Sequence, residues 1–251
     1  MTLTAGKMYF EKVITVFEEV LQTQSEVIEI ASDWIAELFE KKGVLHVFGT
    51  GHSHIISEDL FFRAGGLAPV NAILDINLTM HGGGALTREM SLDRLEGYAS
   101  IILDNYDLRP GEILIITSRS GINPIVVEMA MLAKRMGLRV IALTNLKETH
   151  GSKSRHSSGK KLYEFADLVI DCCLEVGDAC IEVGPGLPKV APQATVVCCA
   201  ILQSIMAEVA TRMYSRDGII PPIWISINSP GGDQKVAELR EVFGGNRLRT
   251  N

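Results

Sequence analysis

The 251-residue sequence predicts an α/β protein, a three-layer α/β/α arrangement around a parallel sheet. Two observations carry that expectation. Short β-branched runs alternate with helical stretches of about a dozen residues, the pattern of βαβ units whose sheet is covered on both faces. Two of those runs also end in glycine and hydroxyl residues just before a helix, where a parallel sheet hands its strands over.

Taken in order, residues 8–38 place Phe10, Val13, Phe17, Val20, Val27, Ala31, Trp34 and Leu38 at steps of three and four, with Gln24 the polar break. That spacing is helical, as one long helix or two. Its apolar stripe either wraps over its own domain or pairs with a second subunit. A strand follows at 44–48 (VLHVF), then a helix at 53–65, a strand at 69–75, a helix at 92–105 and a strand at 112–117. The helix at 123–137 has Asn123 before Pro124 at its start and Gly137 beyond Lys134 and Arg135 at its end. A strand at 138–144 leads into 146–165, rich in Ser, Lys and Gly and without periodicity, which reads as an exposed loop. Residues 166–173 form a further strand, 192–218 a second long and mostly buried helix, and the tail ends in a short helix after SINSPGGDQK (226–235). The expected division is a helical segment at 1–42, a ligand-binding domain at 43–218 and an extension at 219–251 packed on that domain.

Composition narrows the function. With 47% hydrophobic and 22% charged residues the chain suits one sizeable core. A formal charge of -6 and a pI near 5.6 oppose a nucleic-acid partner, because phosphate-backbone binding draws on excess Lys and Arg. No apolar stretch reads as the roughly 20 residues that span a bilayer, and the first residues carry acids where a signal peptide would be apolar, so no membrane partner and a cytoplasmic location are expected. The cysteines, at 172, 173, 180, 198 and 199, lack zinc-ligand spacing and read as reduced core thiols.

The two strand-end turns are Gly49-Thr50-Gly51-His52-Ser53-His54 and Thr117-Ser118-Arg119-Ser120-Gly121-Ile122-Asn123-Pro124. Glycine lets backbone approach an anion, and Ser53, Ser118 and Ser120 add compact O–H donors. A dinucleotide fingerprint lacks its third glycine, since His54 stands there, although Asp75 falls where a ribose-binding acid belongs. A nucleophile elbow lacks its last glycine. Each turn taken singly is also an ordinary tight βα turn. One phosphate or phosphosugar held by both turns accounts for the pair.

FGTGHS followed by DLRPGEILIITSRSGINPIVVEMAMLAKRMGLRVIALTN resembles the sugar isomerase (SIS) domain family, with its G-x-G-x-S loop and its S-x-S-G-x-(N/T) loop, over roughly residues 30–215. Within the family the likeness is to the branch of phosphoheptose isomerases and members of unknown function. The resemblance implies a five-stranded parallel sheet of flavodoxin or Rossmann type, a sugar phosphate as ligand, and a homodimer or homotetramer with sites near subunit contacts; no cofactor is expected. Carried across by position, Ser53, Ser118 and Ser120 hold the phosphate. Thr50, Gly51, His52, Arg119, Gly121 and Asn123 shape the pocket, and Thr144 lines the sugar.

Catalysis is harder to assign. Phosphoheptose isomerases and related etherases carry a glutamate late in the helix after the first loop, where this chain has Arg63; Ile201 stands where the isomerases have a histidine, and Gln193 matches their glutamine. The candidate acid/base groups are therefore Glu58, His54 and His81, the last beside Gly82, Gly83 and Gly84 in a long loop that also carries Arg88 and Glu89. His54, Glu58 and Gln193 are a conceivable metal set, though no metal is expected. The expected function is isomerisation, or a lyase or etherase reaction, beside a sugar-phosphate carbonyl. A non-catalytic phosphosugar sensor is the rival, and hydride transfer with a nicotinamide cofactor the distant third.

Overall fold

A computed structural model describes residues 4–81 and 87–243, so the expected triplet Gly82, Gly83 and Gly84 lies outside the described residues. The chain opens with α1 (Thr4–Thr23) and α2 (Ser25–Glu40), separated at Gln24. The polar break in the stripe has a use: the Gln24 side-chain oxygen accepts the Asp171 N–H at 3.0 Å. There follow β1 (Leu45–Gly49), α3 (Ser53–Leu60), β2 (Val70–Ile73), α4 (Thr87–Leu92), α5 (Tyr98–Leu103), β3 (Ile113–Thr117), α6 (Pro124–Arg135) and β4 (Arg139–Thr144). The remainder is α7 (Leu146–Gly151), β5 (Leu168–Asp171), the antiparallel pair β6 (Ala179–Ile181) and β7 (Val190–Pro192), α8 (Ala194–Asp217) and α9 (Gly232–Phe243).

The five strands β1 to β5 form one parallel sheet in the order β2-β1-β3-β4-β5. Alternation along each strand divides the core into two layers. Leu45, Val47, Ile113, Ile115, Ile141 and Leu143 pack against α2, α3 and α8, while Phe48, Leu114, Ile116, Val140 and Ala142 pack against α5 and α6. The expected three-layer sheet is therefore present. Because the strand order reverses between β1 and β3, their carboxyl ends diverge into a crevice, the usual ligand position of such sheets.

Four local expectations change. The stretch 92–105 is not one helix: Gly97, at φ 88°, separates α4 from α5. The supposed loop 146–165 begins with the single-turn α7, capped by the Asn145 side chain, which accepts the Glu148 N–H. The helix at 53–65 stops at Leu60. Finally, α8 is by length and composition apolar enough to cross a membrane. Here it buries Val197, Ile201, Leu202, Ile205, Val209 and Met213 in the domain core. The N-terminal stripe is divided: α2 and one side of α1 (Val13, Val20) are buried, while Phe10, Ile14 and Leu21 of α1 are exposed.

Candidate functional site

The pairing Gly49↔Thr117 sets the two strand-end turns side by side. Thr117 then ties them, its hydroxyl donating to Phe48 O at 3.2 Å and Ser53 O at 3.3 Å. The approach is close enough that a Cβ on Gly49 would lie 2.5 Å from Thr117 Oγ1 and closer still to Ser53 O, so only glycine fits. Between the turns is a cleft of about 280 Å³. Thr50, Gly51, His52, Ser53, Ser118, Arg119, Ser120 and Asn123 line it, as do Glu89, Asp93, Asp178 and the first residues of α8. The N-termini of α3, α6 and α8 thus open on one space, where the helix dipoles favour an anion, and at α8 the Asp178 carboxylate already accepts the Gln193 and Ala194 N–H groups at 2.9 and 2.7 Å.

Two expected residues lie beneath the cleft and do not line it. Gly121 donates its N–H to Ser118 Oγ at 3.1 Å, which closes the second turn. The Thr144 hydroxyl approaches Arg119 O at 3.2 Å and Thr149 Oγ1 at 3.1 Å, so Thr144 braces that turn from below.

The expected acid/base trio is elsewhere. His54, Glu58 and His81 form their own cluster, with His54 Nδ1 3.2 Å from Glu58 Oε1 and the two imidazoles 6.1 Å apart, and none of the three lines the cleft. The reason is helical geometry: each residue turns about 100° from the last, so Ser53 and Ile56 share the cleft face while His54 and Glu58 share another. Burial lowers the His54 pKa, more than Glu58 raises it. Gln193 lies around a separate cavity with Lys12, Glu19 and Cys173, so a His54, Glu58 and Gln193 metal set is not assembled. Asp75 is engaged too, accepting Asn77 N–H at 2.7 Å and the Tyr98 hydroxyl at 2.8 Å, which makes it a turn cap.

Of the three acids that face the cleft among the described residues, Asp178 caps α8, and the other two sit four residues apart on α4 and the turn after it. Asp93, 7% exposed, accepts the Thr50 hydroxyl at 3.0 Å and the Asn123 side-chain amide; Asn123 in turn accepts Arg155 Nη1 at 2.7 Å. Burial raises the Asp93 pKa in spite of those hydrogen bonds. Glu89 lies against Gly51, where an added Cβ would come within 2.9 Å of Glu89 Oε1. Its pKa is raised by burial first and by Asp93 second. A carboxyl held above its ordinary range, in a cleft beside an anion site, is suited to general acid/base work. Among the sequence signals, Glu89 stood in the long loop region, but Asp93 was not singled out. An acidic pair at i, i+4 just after a long glycine-rich connection was the clue.

Other features carry less chemistry. A larger cavity of about 500 Å³ opens at the amino ends of β1 and β2, lined by apolar groups such as Phe39, Pro69, Met213 and Val242 with Lys42 and Lys235. The SINSPGGDQK segment leads into α9, whose Val236 and Leu239 pack on Ala68 and Trp224, and none of it lines the cleft. All five cysteines are free. Cys198 reaches the cleft wall, but its hydrogen bond with Cys172 and its burial hold the thiol well above the ordinary range, which makes it a poor nucleophile.

Comparison with known proteins agrees with this architecture. The SIS domain family matches residues 8–145. A UPF0309 protein of Caldanaerobacter subterraneus subsp. tengcongensis is 41% identical over 239 residues, covering 94% of this chain and 96% of the relative. A UPF0309 protein of Listeria monocytogenes serotype 4b is 39% identical over 225 residues, covering 90% of each chain. The solved phosphoheptose isomerase of Neisseria gonorrhoeae superposes with a TM-score of 0.57 at 14% identity, over 84% of this chain and 100% of that one. The phosphoheptose isomerase of Francisella tularensis gives 0.55 at 16% identity, over 83% and 98%. Those two likenesses speak for the fold. Matched by the family over more than half its length, and by relatives near 40% identity along nine-tenths of it, this chain belongs to the SIS domain family.

Proposed function

We propose that the protein binds a sugar phosphate in the cleft between its two serine turns and catalyses a reaction beside the sugar carbonyl, with isomerisation as the leading form. In this reading Ser53, Ser118 and Ser120 donate to the phosphate, the α3 and α6 N-termini and Arg119 balance its charge, and Glu89 is the acid/base. The Glu89 carboxylate takes a proton from the hydroxyl-bearing carbon next to the carbonyl and returns it to the former carbonyl carbon, while the hydroxyl proton passes to the former carbonyl oxygen, leaving an aldose where there was a ketose or the reverse. Asp93 positions Thr50 and Asn123 through its two hydrogen bonds.

The single observation that carries the reading is that one cleft holds both serine turns and two carboxyls kept above their ordinary range. It also favours an enzyme over a sensor, since anion binding alone gains nothing from buried acids. The exposed stripe Phe10, Ile14 and Leu21 on α1 supports a homodimer, and the five free thiols suit the cytoplasm.

The test is turnover of aldose and ketose phosphates, followed by NMR, for the wild type, Ser120→Ala and Glu89→Gln. A hydrogen bond to a charged group contributes ~1.5–3 kcal/mol, so Ser120→Ala is expected to weaken binding by roughly ten- to a hundredfold. Turnover unchanged in both variants rejects the assigned site. Thermal stabilisation by sugar phosphates without any turnover restores the sensor.

A further inference from the structure

We propose that Glu96, Glu128 and His156 form a binding site for one divalent transition-metal ion of the zinc class, on the far side of the hydrogen-bonded chain that holds Asp93. The three ligand atoms lie within 4.8 Å of one another, with His156 Nε2 3.8 Å from Glu128 Oε1 and 4.0 Å from Glu96 Oε2. Ligand atoms around a tetrahedral zinc ion at ~2.1 Å stand about 3.4 Å apart, so rotamer adjustments that bring the three atoms together by at most about 1.4 Å close the site. One imidazole and two carboxylates suit this class of ion, and the half-exposed Glu96 leaves a fourth position open to water.

A second observation points the same way. His156 is only 9% exposed, and its Nε2 faces both carboxylates at 3.8 and 4.0 Å, beyond hydrogen-bond distance of either, with the gap between the three atoms left for an ion. Each ligand is also held from behind, as metal ligands usually are. Both Glu128 oxygens accept the Gly97 N–H, at 2.7 and 2.8 Å. Glu96 accepts the Ser157 N–H at 2.6 Å and its hydroxyl at 2.7 Å. His156 Nδ1 lies 2.7 Å from Ser158 Oγ, which can accept its proton and leave the Nε2 lone pair for the ion. The Ser158 N–H approaches the same Nδ1 at 3.1 Å, so binding moves the ring proton to Nδ1 at the expense of that contact.

The position gives the site its consequence. Glu96 follows Asp93 by three residues, Glu128 lies in the helix that Asn123 caps, and His156 follows Arg155. An ion here fastens together the three segments that carry the Asp93, Asn123 and Arg155 chain into the cleft.

The test uses the full chain, stripped by a chelator, with Zn2+ titrated by calorimetry and thermal melting, and Co2+ as a spectroscopic stand-in. The expected result is one Zn2+ per chain, a raised melting temperature, at least tenfold weaker binding in Glu96→Gln and none in His156→Ala. The Co2+ complex is expected to lack a thiolate charge-transfer band, which separates this site from the cysteines. Absence of binding, equal binding in Glu96→Gln, or a thiolate band overturns the proposal. Glu96 is half-exposed, so its variant remains informative if His156→Ala does not fold. None of these readouts involves a sugar phosphate, so failure here leaves the cleft assignment standing.

Discussion

The two ends of the sheet each bury a cluster of polar side chains, and the clusters behave oppositely. At the amino ends of the strands, His46 Nε2 meets Glu112 Oε2 at 3.0 Å and Asn71 Nδ2 meets His46 Nδ1 at 3.1 Å. Glu112 also accepts the Val44 N–H at 3.0 Å and the Arg109 N–H at 2.9 Å, and of the buried side-chain atoms here only Asn71 Oδ1 lacks a partner among the described residues. At the carboxyl ends, Glu89 and Asp93 border open space and are held above their ordinary range. A carboxylate whose lone pairs are taken by backbone N–H groups and an imidazole is a structural joint. One that is desolvated beside a cleft retains unspent chemistry.

The hardest blow to the comparison is struck at the joint. Glu112→Ala leaves His46 and two backbone N–H groups buried without their acceptor, and removing one member of a buried pair costs about 3–5 kcal/mol. Urea denaturation is expected to show a loss of that size, with the affinity of the remaining folded protein for sugar phosphate unchanged. A matching drop in that affinity shows that the two ends are coupled and breaks the distinction.

Glu89→Gln is the converse: turnover is expected to fall by roughly 10²–10⁴-fold with no loss of stability. The sign of the pH effect follows from the raised pKa. Between the ordinary glutamate value and the raised one, the folded chain keeps a proton that the unfolded chain has released, so stability declines as pH rises through that window. Replacing the carboxyl removes this decline, and above the window the variant is expected to melt at or above the wild-type temperature. Melting curves from about pH 4 upward check it. A variant that melts lower at neutral pH assigns Glu89 to the framework.

How much of this was legible follows from what each signal depends on. The five strands of the parallel sheet read correctly because a sheet buried on both faces requires continuous β-branched runs such as ILIIT, and the turns because close approach at Gly49 admits only glycine, whereas the three-residue strands β6 and β7 were missed. The α4 to α5 break was hidden because Gly97 interrupts two six-residue helices, each too short to show a period. Asp93 was hidden because its environment is assembled from Thr50 and Asn123, 43 and 30 residues away. His54 and Glu58 were plausible beside Ser53 in sequence, and the 100° step of α3 turned them away. A one-dimensional reading finds residues that act through their own backbone. It does not find carboxylates whose character is set by distant neighbours, which is why Glu112 and Glu89 look alike in the sequence.

The smallest effect separates backbone strain from site chemistry. Gly51 (φ +54°) and Gly111 (φ +87°) both occupy the left-handed region, where an alanine costs ~1–2 kcal/mol. Gly111 stands at the amino end of β3, next to Glu112, with nothing within 4 Å of an added Cβ, whereas the same atom on Gly51 meets Glu89 Oε1 at 2.9 Å. Gly51→Ala and Gly111→Ala are therefore expected to lose similar stability. Only the former also has to push the Glu89 carboxyl a few tenths of an ångström from its place. If Glu89 is the acid/base, Gly51→Ala lowers kcat severalfold beyond Gly111→Ala measured under the same conditions, since proton transfer depends on the reach of that carboxyl. Equal kcat in the two variants means that the carboxyl over Gly51 does not touch the reacting carbons, and Glu89 then belongs with Glu112 among the acids that only hold the fold.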